Sequence, residues 1–260
     1  MASPTDFDTL FVGALSARQV DFDALGDGTY LVRVRGRELI VNTNNARAEF
    51  ARDRDPGAVG RFVCGVLGAE AELFDWPQVV PSLFPMIESI DVDLGAETLS
   101  RDLSSRTKVV LASHWPGSGS VRFLSTRDLD RWSVSDQEVW DAARSAFDVI
   151  VSKTVVEILR RGDLLLGAVH APEPYKASMI LSARFKNQVP AELGWPVLAV
   201  APARDFVYLL RKGDERSLGR VGAVVVREFA QSGYPVSTEV WELSDDGAVA
   251  VGEFPVQTLE

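Results

Sequence analysis

Hydrophobic and polar positions along the chain change period several times, and each change marks an element. Phe7, Leu10, Phe11 and Leu15 recur at helical spacing, which predicts a helix near the N-terminus. Residues 19–22 then lead toward a turn at Gly26-Asp27-Gly28. Tyr30, Val32 and Val34 alternate with Leu31, Arg33 and Arg35, and Leu39-Ile40-Val41 follows Gly36. That pattern predicts a β-hairpin turning near Gly36. Asn44 or Asn45 is placed to cap a short helix through Phe50. Asp55-Pro56-Gly57 opens another helix, whose Val59, Phe62, Val63, Val66 and Leu67 form one stripe that ends at Gly68.

Pro77, Pro81 and Pro85 rule out one regular helix across the next stretch, although each can start a helical turn. Residues 79–87 are strongly apolar and are expected to be packed rather than a free linker. A polar stretch over 97–108 suggests a soft boundary there. This gives an acidic α+β subdomain over 1–100 and a larger α+β domain over 101–260.

The second half is more regular. Residues 109–113 and 121–125 read as strands joined by the turn-rich His114-Trp115-Pro116-Gly117-Ser118-Gly119. Ser135-Asp136-Gln137-Glu138 has the form of a capping box. The helix it opens carries Val139, Ala142, Ala143, Ala146, Phe147 and Ile150 on one side. Arg161-Gly162-Asp163 precedes a strand over 164–169. Periodicity leaves 177–185 open between helix and strand. Short strands at 197–200 and 206–210 flank Pro202-Ala203-Arg204-Asp205. A long helix over about 218–231 turns Leu218, Val221, Val224, Val225 and Phe229 inward. A terminal hairpin turns at Asp246-Gly247. The expected class is α+β: a mixed or antiparallel sheet packed with helices, with an N-terminal hairpin-and-helix subdomain.

Composition narrows the class. With 46% hydrophobic and 25% charged residues, 260 residues can bury a core, which excludes collagen-like and disordered chains. A net charge of −10 argues against a binder of duplex nucleic acid. The charge is uneven: residues 1–100 hold 16 acids and 8 bases, and residues 101–260 hold 21 and 19. A protein partner is therefore expected to meet the acidic N-terminal half, although a plain solvated face also accounts for the charge. Cys64 is the single cysteine, so no intrachain disulfide can form. That fits a reducing cytoplasm, the expected location. The start Met1-Ala2-Ser3-Pro4-Thr5-Asp6 lacks the basic opening of a signal peptide. No apolar run approaches the roughly 18 residues of a membrane span.

The sequence carries no phosphate loop, dinucleotide fingerprint or nucleophile elbow. Gly117-Ser118-Gly119-Ser120 lies between two predicted strands, which fits a hairpin tip better than a phosphate cradle. Cys64 falls on the predicted apolar stripe and reads as a buried structural thiol. The histidines number two, His114 and His170, which weakens zinc and histidine-based mechanisms. No cofactor and no metal are expected. His170 precedes Ala171-Pro172-Glu173, so its imidazole can meet a carboxylate. Asp128, Asp130, Glu138 and Asp141 gather near one helix start, where the positive end of the helix dipole accounts for them. One constellation stands out: His170, Lys176, Arg204 and Asp205 can line one end of a sheet. Arg204 can bind an anion through two N–H groups while Asp205 holds it. The alternative is that Arg204-Asp205 closes a tight turn and pairs locally.

Three segments resemble the YtpQ-like family of uncharacterised bacterial proteins, a domain of unknown function. They are Trp132-Ser133-Val134-Ser135 before its helix, Tyr175-Lys176-Ala177-Ser178-Met179-Ile180-Leu181, and Ala201-Pro202-Ala203-Arg204-Asp205. Leu39-Ile40-Val41-Asn42 and the 81–85 stretch are compatible with it. The resemblance covers most of 105–245 and implies a cytoplasmic bacterial α+β protein. It supplies no reaction and no catalytic residue. The function expected from the sequence is that of a non-enzymatic binding or regulatory protein. An enzyme or small-anion-binding domain around Arg204 and Asp205 is the second reading. An immunity protein of a bacterial conflict system, its acidic charge matching a basic toxin, is the third.

Overall fold

The structure, a computed structural model, describes all residues except 1–5, 27, 35–36, 44–45, 48–49, 52–54, 69–74, 115–120, 172–173 and 257–260. The chain forms two compact units. The first is 1–74 with 114–122 and 231–233, and the second is 75–113, 123–230 and 234–260. The fold is α+β with antiparallel sheets.

In the first unit, helix α1 (Phe7–Ala17) starts at Asp6, whose carboxylate accepts from the Thr9 amide. A three-stranded sheet follows: β1 (Asp21–Gly26), β2 (Thr29–Val34) and β3 (Arg37–Asn42), in the order β1-β2-β3. β1, which the hydrophobic pattern does not predict, fills the stretch leading to the turn expected at Gly26-Asp27-Gly28. Its sequence Asp-Phe-Asp-Ala-Leu-Gly alternates, with Phe22 half-buried and its neighbours exposed, which is the pattern of an edge strand. Helix α2 (Pro56–Gly68) falls where its stripe predicts. The core gathers Phe7, Phe11, Leu15, Tyr30, Val32, Val59 and Val63. Phe11 meets the rings of Phe7, Tyr30 and Phe62 at 4.9 to 5.9 Å between centroids. Cys64 departs from expectation: it is exposed, beside the Arg18 guanidinium. Val63 takes the buried side of that turn, and its neighbour is rotated by 100° onto the outer face. The expected turn at Gly36 and cap at Asn44 or Asn45 lie outside the described residues, as does the 117–120 hairpin tip.

The second unit opens with a four-residue helix, α3 (Trp76–Val79), and a 3₁₀ turn over Val80–Ser82. β4 (Leu83–Ser89) follows, so Pro85 sits within a strand and starts no helical turn. β4 is an edge strand of the sheet β4-β6-β5, with β5 at Ser100–Asp102 and β6 at Thr107–His114. The Ile87 amide, two residues on, points away from β6 to the Ser178 hydroxyl at 3.4 Å. Pro85 therefore lacks its N–H on the side where β6 needs none. Of the 79–87 stretch expected to be packed, Val79 and residues 82–87 are buried, Val80 is partly buried and Pro81 is exposed.

After β7 (Val121–Phe123) come α4 (Thr126–Trp132) and α5 (Asp136–Val151). The Ser135–Glu138 capping box forms as the sequence indicates. α5 buries Val139, Trp140, Ala143, Phe147 and Val151, a stripe slightly rotated from the expected one. The larger sheet has β8 (Val155–Arg161), β9 (Leu164–His170), β10 (Val197–Ala203), β11 (Phe206–Arg211), β12 (Glu239–Ser244) and β13 (Gly247–Glu253). Its order is β13-β12-β10-β11-β9-β8. β8 goes unread in the sequence because it follows α5 with no Gly or Pro and ends in two arginines. The 177–185 stretch is neither helix nor strand but two 3₁₀ segments, Ala177–Leu181 and Ala183–Gln188.

Helix α6 (Glu215–Gln231) covers one face of this sheet. Val221 and Val225 pack with Leu198, Val200, Leu210 and Val240. On the opposite face Val197, Ala199, Leu209 and Trp241 are fully or almost fully buried. β10 is thus buried on both sides, which is why Val-Leu-Ala-Val-Ala-Pro-Ala has no polar alternation.

Candidate functional site

The pairing of β9 with β11 places Tyr208 opposite Ala168. His170 lies two residues beyond that pair along β9, and Phe206 two residues before it along β11. His170 therefore ends its strand at the edge where the β10–β11 turn carries Arg204 and Asp205. The Ala177 amide donates to the Arg204 carbonyl at 2.9 Å, which brings Lys176 to the same edge. The four residues singled out in the sequence share one end of the sheet. Their side chains do different things.

His170 is exposed, and its Nε2 lies 2.9 Å from Glu157 on β8. The carboxylate beside it thus comes from across the hairpin; Glu173 lies outside the described residues. Lys176 caps the first 3₁₀ segment and is partly buried. Asp205 occupies the turn and is partly buried.

Arg204 turns inward. Its Nη2 lies 2.6 Å from Oε1 of Glu88 on β4, with the arginine side chain 16% exposed and the glutamate 2%. The guanidinium carbon stands 4.5 Å from the Tyr234 ring centre and 6.0 Å from that of Phe123. Among the described residues Nε of Arg204 and Oε1 of Glu88 have no hydrogen-bond partner, so the short contact from Nη2 to Oε1 is an ion pair and is not aligned as a hydrogen bond. Burial raises the Glu88 carboxyl above its ordinary pKa, against the opposing pull of Arg204 and of Lys108. Lys108, opposite Glu88 in the β4–β6 register, gives its ammonium to the Val92 carbonyl at 2.6 Å. The geometry makes Arg204 an internal tie between β4 and the β10–β11 turn. The sequence placed Arg204 correctly at the sheet's end but missed Glu88, whose position inside an apolar run was the available signal.

Of the four acids assigned to a helix start, Asp128 and Glu138 serve one, whereas Asp130 lies late in α4 and Asp141 pairs with Gln137 and Arg144 within α5. Asp128 accepts from the Ser125 amide at 2.8 Å, and Glu138 from that of Ser135 at 2.8 Å. The Ser135 bonds hold the Glu138 carboxyl below its ordinary pKa. His114 is half-buried, and burial lowers its pKa. Among the described residues no group of three His, Cys, Asp or Glu side chains is placed to hold a metal ion, and no helix is long and apolar enough to cross a membrane.

A different surface appears in the first unit. On β1, Asp21 and Asp23 flank Arg33 of β2, and Glu38 of β3 flanks it from the far side. The distances are 3.2, 2.7 and 3.0 Å. The carboxylates, Asp23 foremost, raise the Arg33 pKa further above its already high value. Three carboxylates around one guanidinium leave a net charge of −2 on this face. Leu25, at the irregularity between Ala24 and Gly26 on β1, is 56% exposed. Among the described residues β1 pairs with β2 alone, and none of them covers its outer edge.

Comparison of the chain with protein-family models, with curated proteins and with solved structures finds no match.

Proposed function

We propose that this chain is a non-enzymatic binding protein that captures an extended basic segment of a partner protein along β1. The observation that carries the reading is the coincidence on one strand of an open backbone edge, an acidic face and an exposed leucine. An open edge offers N–H and C=O groups to an incoming strand, and side chains at alternate positions supply selectivity. Here Asp21 and Asp23 hold alternate positions, and Leu25 follows at the irregularity between Ala24 and Gly26. Arginine or lysine at alternate positions of the guest meets the two aspartates, and an apolar residue covers Leu25. A second copy of β1 is disfavoured, since it sets carboxylate against carboxylate. An immunity role against a basic toxin is one biological setting for the same chemistry.

The test is fluorescence anisotropy with a labelled peptide alternating valine and arginine, against one alternating valine and glutamate. The arginine peptide is expected to bind at least about tenfold more tightly and to weaken as salt rises through about 0.15 M, where the screening length is about 8 Å. D21N/D23N should remove that preference. Equal binding of the two peptides, or an arginine preference unchanged in D21N/D23N, overturns the proposal.

A further inference from the structure

A second site lies in the other unit, at the start of β12, and it is independent of the β1 edge. Glu239 is 4% exposed. Its Oε2 accepts hydrogen bonds from the hydroxyls of Ser104 and Ser237, each at 2.9 Å. The Ser104 oxygen in turn accepts from the amides of Arg106 and Thr107, and the Ser237 oxygen from the amide of Glu239. With the Ser104 proton directed to Glu239, the Thr107 hydroxyl 2.8 Å away donates to Ser104. One oxygen of the carboxylate is therefore fixed by a complete network of neutral donors.

The other oxygen is not. Oε1 has no hydrogen-bond partner among the described residues, yet it is not sealed from solvent. Glu239 borders a surface cavity of about 520 Å³ together with Ser105, Arg106, Ala250, Gly252 and Glu253. Gly252 adds to the room, since a Cβ built there meets nothing within 4 Å. At the rim, Nε of Arg106 lies 3.4 Å from Oε2 of Glu253, and both side chains are more than half exposed. Arg106 thus answers Glu253, and among the six lining residues no cation answers Glu239. The β12–β13 ladder is irregular beside the site, between Val240 and Trp241.

We propose that this cavity binds a primary ammonium group, with Glu239 Oε1 as its principal acceptor and Glu253 as a second. The donor set selects among cations. A guanidinium needs two parallel acceptors, and Glu239 offers one free oxygen. Calcium needs six or more oxygen ligands. An ammonium is a compact point donor that one fixed oxygen and one movable carboxylate can hold. The group can arrive on a small diffusible amine or on a lysine side chain, and the two sources share this chemistry.

The test is NMR titration of the intact chain with 1,5-diaminopentane, with Nα-acetyl-lysine methylamide, and with 1-pentanol as the uncharged control. Both amines should perturb Ser105, Arg106, Glu239 and Gly252, and pentanol should not. Tighter binding of the diamine assigns a diffusible amine, and tighter binding of the capped lysine assigns a side chain. E239Q keeps an oxygen for Ser104 and Ser237 but turns an N–H₂ group toward the ligand, so binding should weaken at least tenfold. E253K, at a half-exposed position, should weaken it at least threefold. Perturbation of the same residues by pentanol, no perturbation by either amine, or amine affinity unchanged in E253K or in a folded E239Q overturns the proposal.

Discussion

Removing the Arg204 guanidinium should damage the second unit out of proportion to its size. Glu88 is 2% exposed, and its short contact is to Nη2 of Arg204. In R204A the buried carboxylate loses that partner and gains little water in exchange. Breaking a buried pair from one side costs about 3–5 kcal/mol, because an uncompensated charge is left behind. The truncation also removes the cation–π contact with Tyr234 at 4.5 Å, worth about 0.5–2 kcal/mol. Arg204 retains 16% exposure, so some water can reach the gap, and the lower part of the range is the better expectation: a loss of about 3–4 kcal/mol. For a chain of this size that corresponds to a fall in Tm of about 6–16 °C.

The sign with pH follows from Glu88. Its pKa in the folded state is raised by burial, so the folded protein holds a proton that the unfolded chain releases. The associated stability is fully present below the ordinary glutamate pKa and is lost as pH rises through the raised value. R204A removes the opposing pull of the guanidinium, so its stability should fall more steeply with rising pH than that of the parent. E88L/R204M replaces both charges with apolar groups and should recover most of the loss. The assay is urea unfolding followed by tryptophan fluorescence at several pH values. An R204A loss below about 1 kcal/mol, or a double variant less stable than R204A, refutes the argument.

Other expectations follow from packing and capping. G167A places a Cβ 2.9 Å from Val156 Cγ1 and 3.1 Å from Leu209 Cβ in the strand core, and calorimetry should show a loss of about 1–3 kcal/mol. S135A removes the α5 cap that accepts from the Glu138 amide and should cost about 1 kcal/mol in the same assay. Cys64 should be alkylated by iodoacetamide in the native protein; modification that needs denaturant contradicts its exposure.

Much of the architecture was legible because local pattern and tertiary role agreed. Ser135 and Glu138 announced α5, Asp246-Gly247 announced the last hairpin, and the stripe of Val221 and Val225 announced α6. The failures have physical causes. β1 was hidden because an edge strand buries one side of a few residues, and Asp21-Phe22-Asp23 shows too short an alternation. Pro85 argued against a strand until the free side of β4 supplied a place for it. The candidate site was legible as an address and not as an arrangement. Local sequence placed Arg204 at a strand end, but its partner Glu88 is 116 positions away, and only tertiary folding joins them. Glu239 was equally silent, since its significance depends on Ser104 and on a cavity bordered by separate strands.

The central claim is that β1 is a docking edge for a basic strand, and hydrogen exchange tests it directly. The amides of Asp21–Gly26 that face away from β2 should exchange fast in the free protein, because that edge is open. Saturating valine–arginine peptide should protect them, leave the six-stranded sheet unchanged, and fail to do so in D21N/D23N. Protection absent from β1, or appearing equally with the valine–glutamate peptide, contradicts the account.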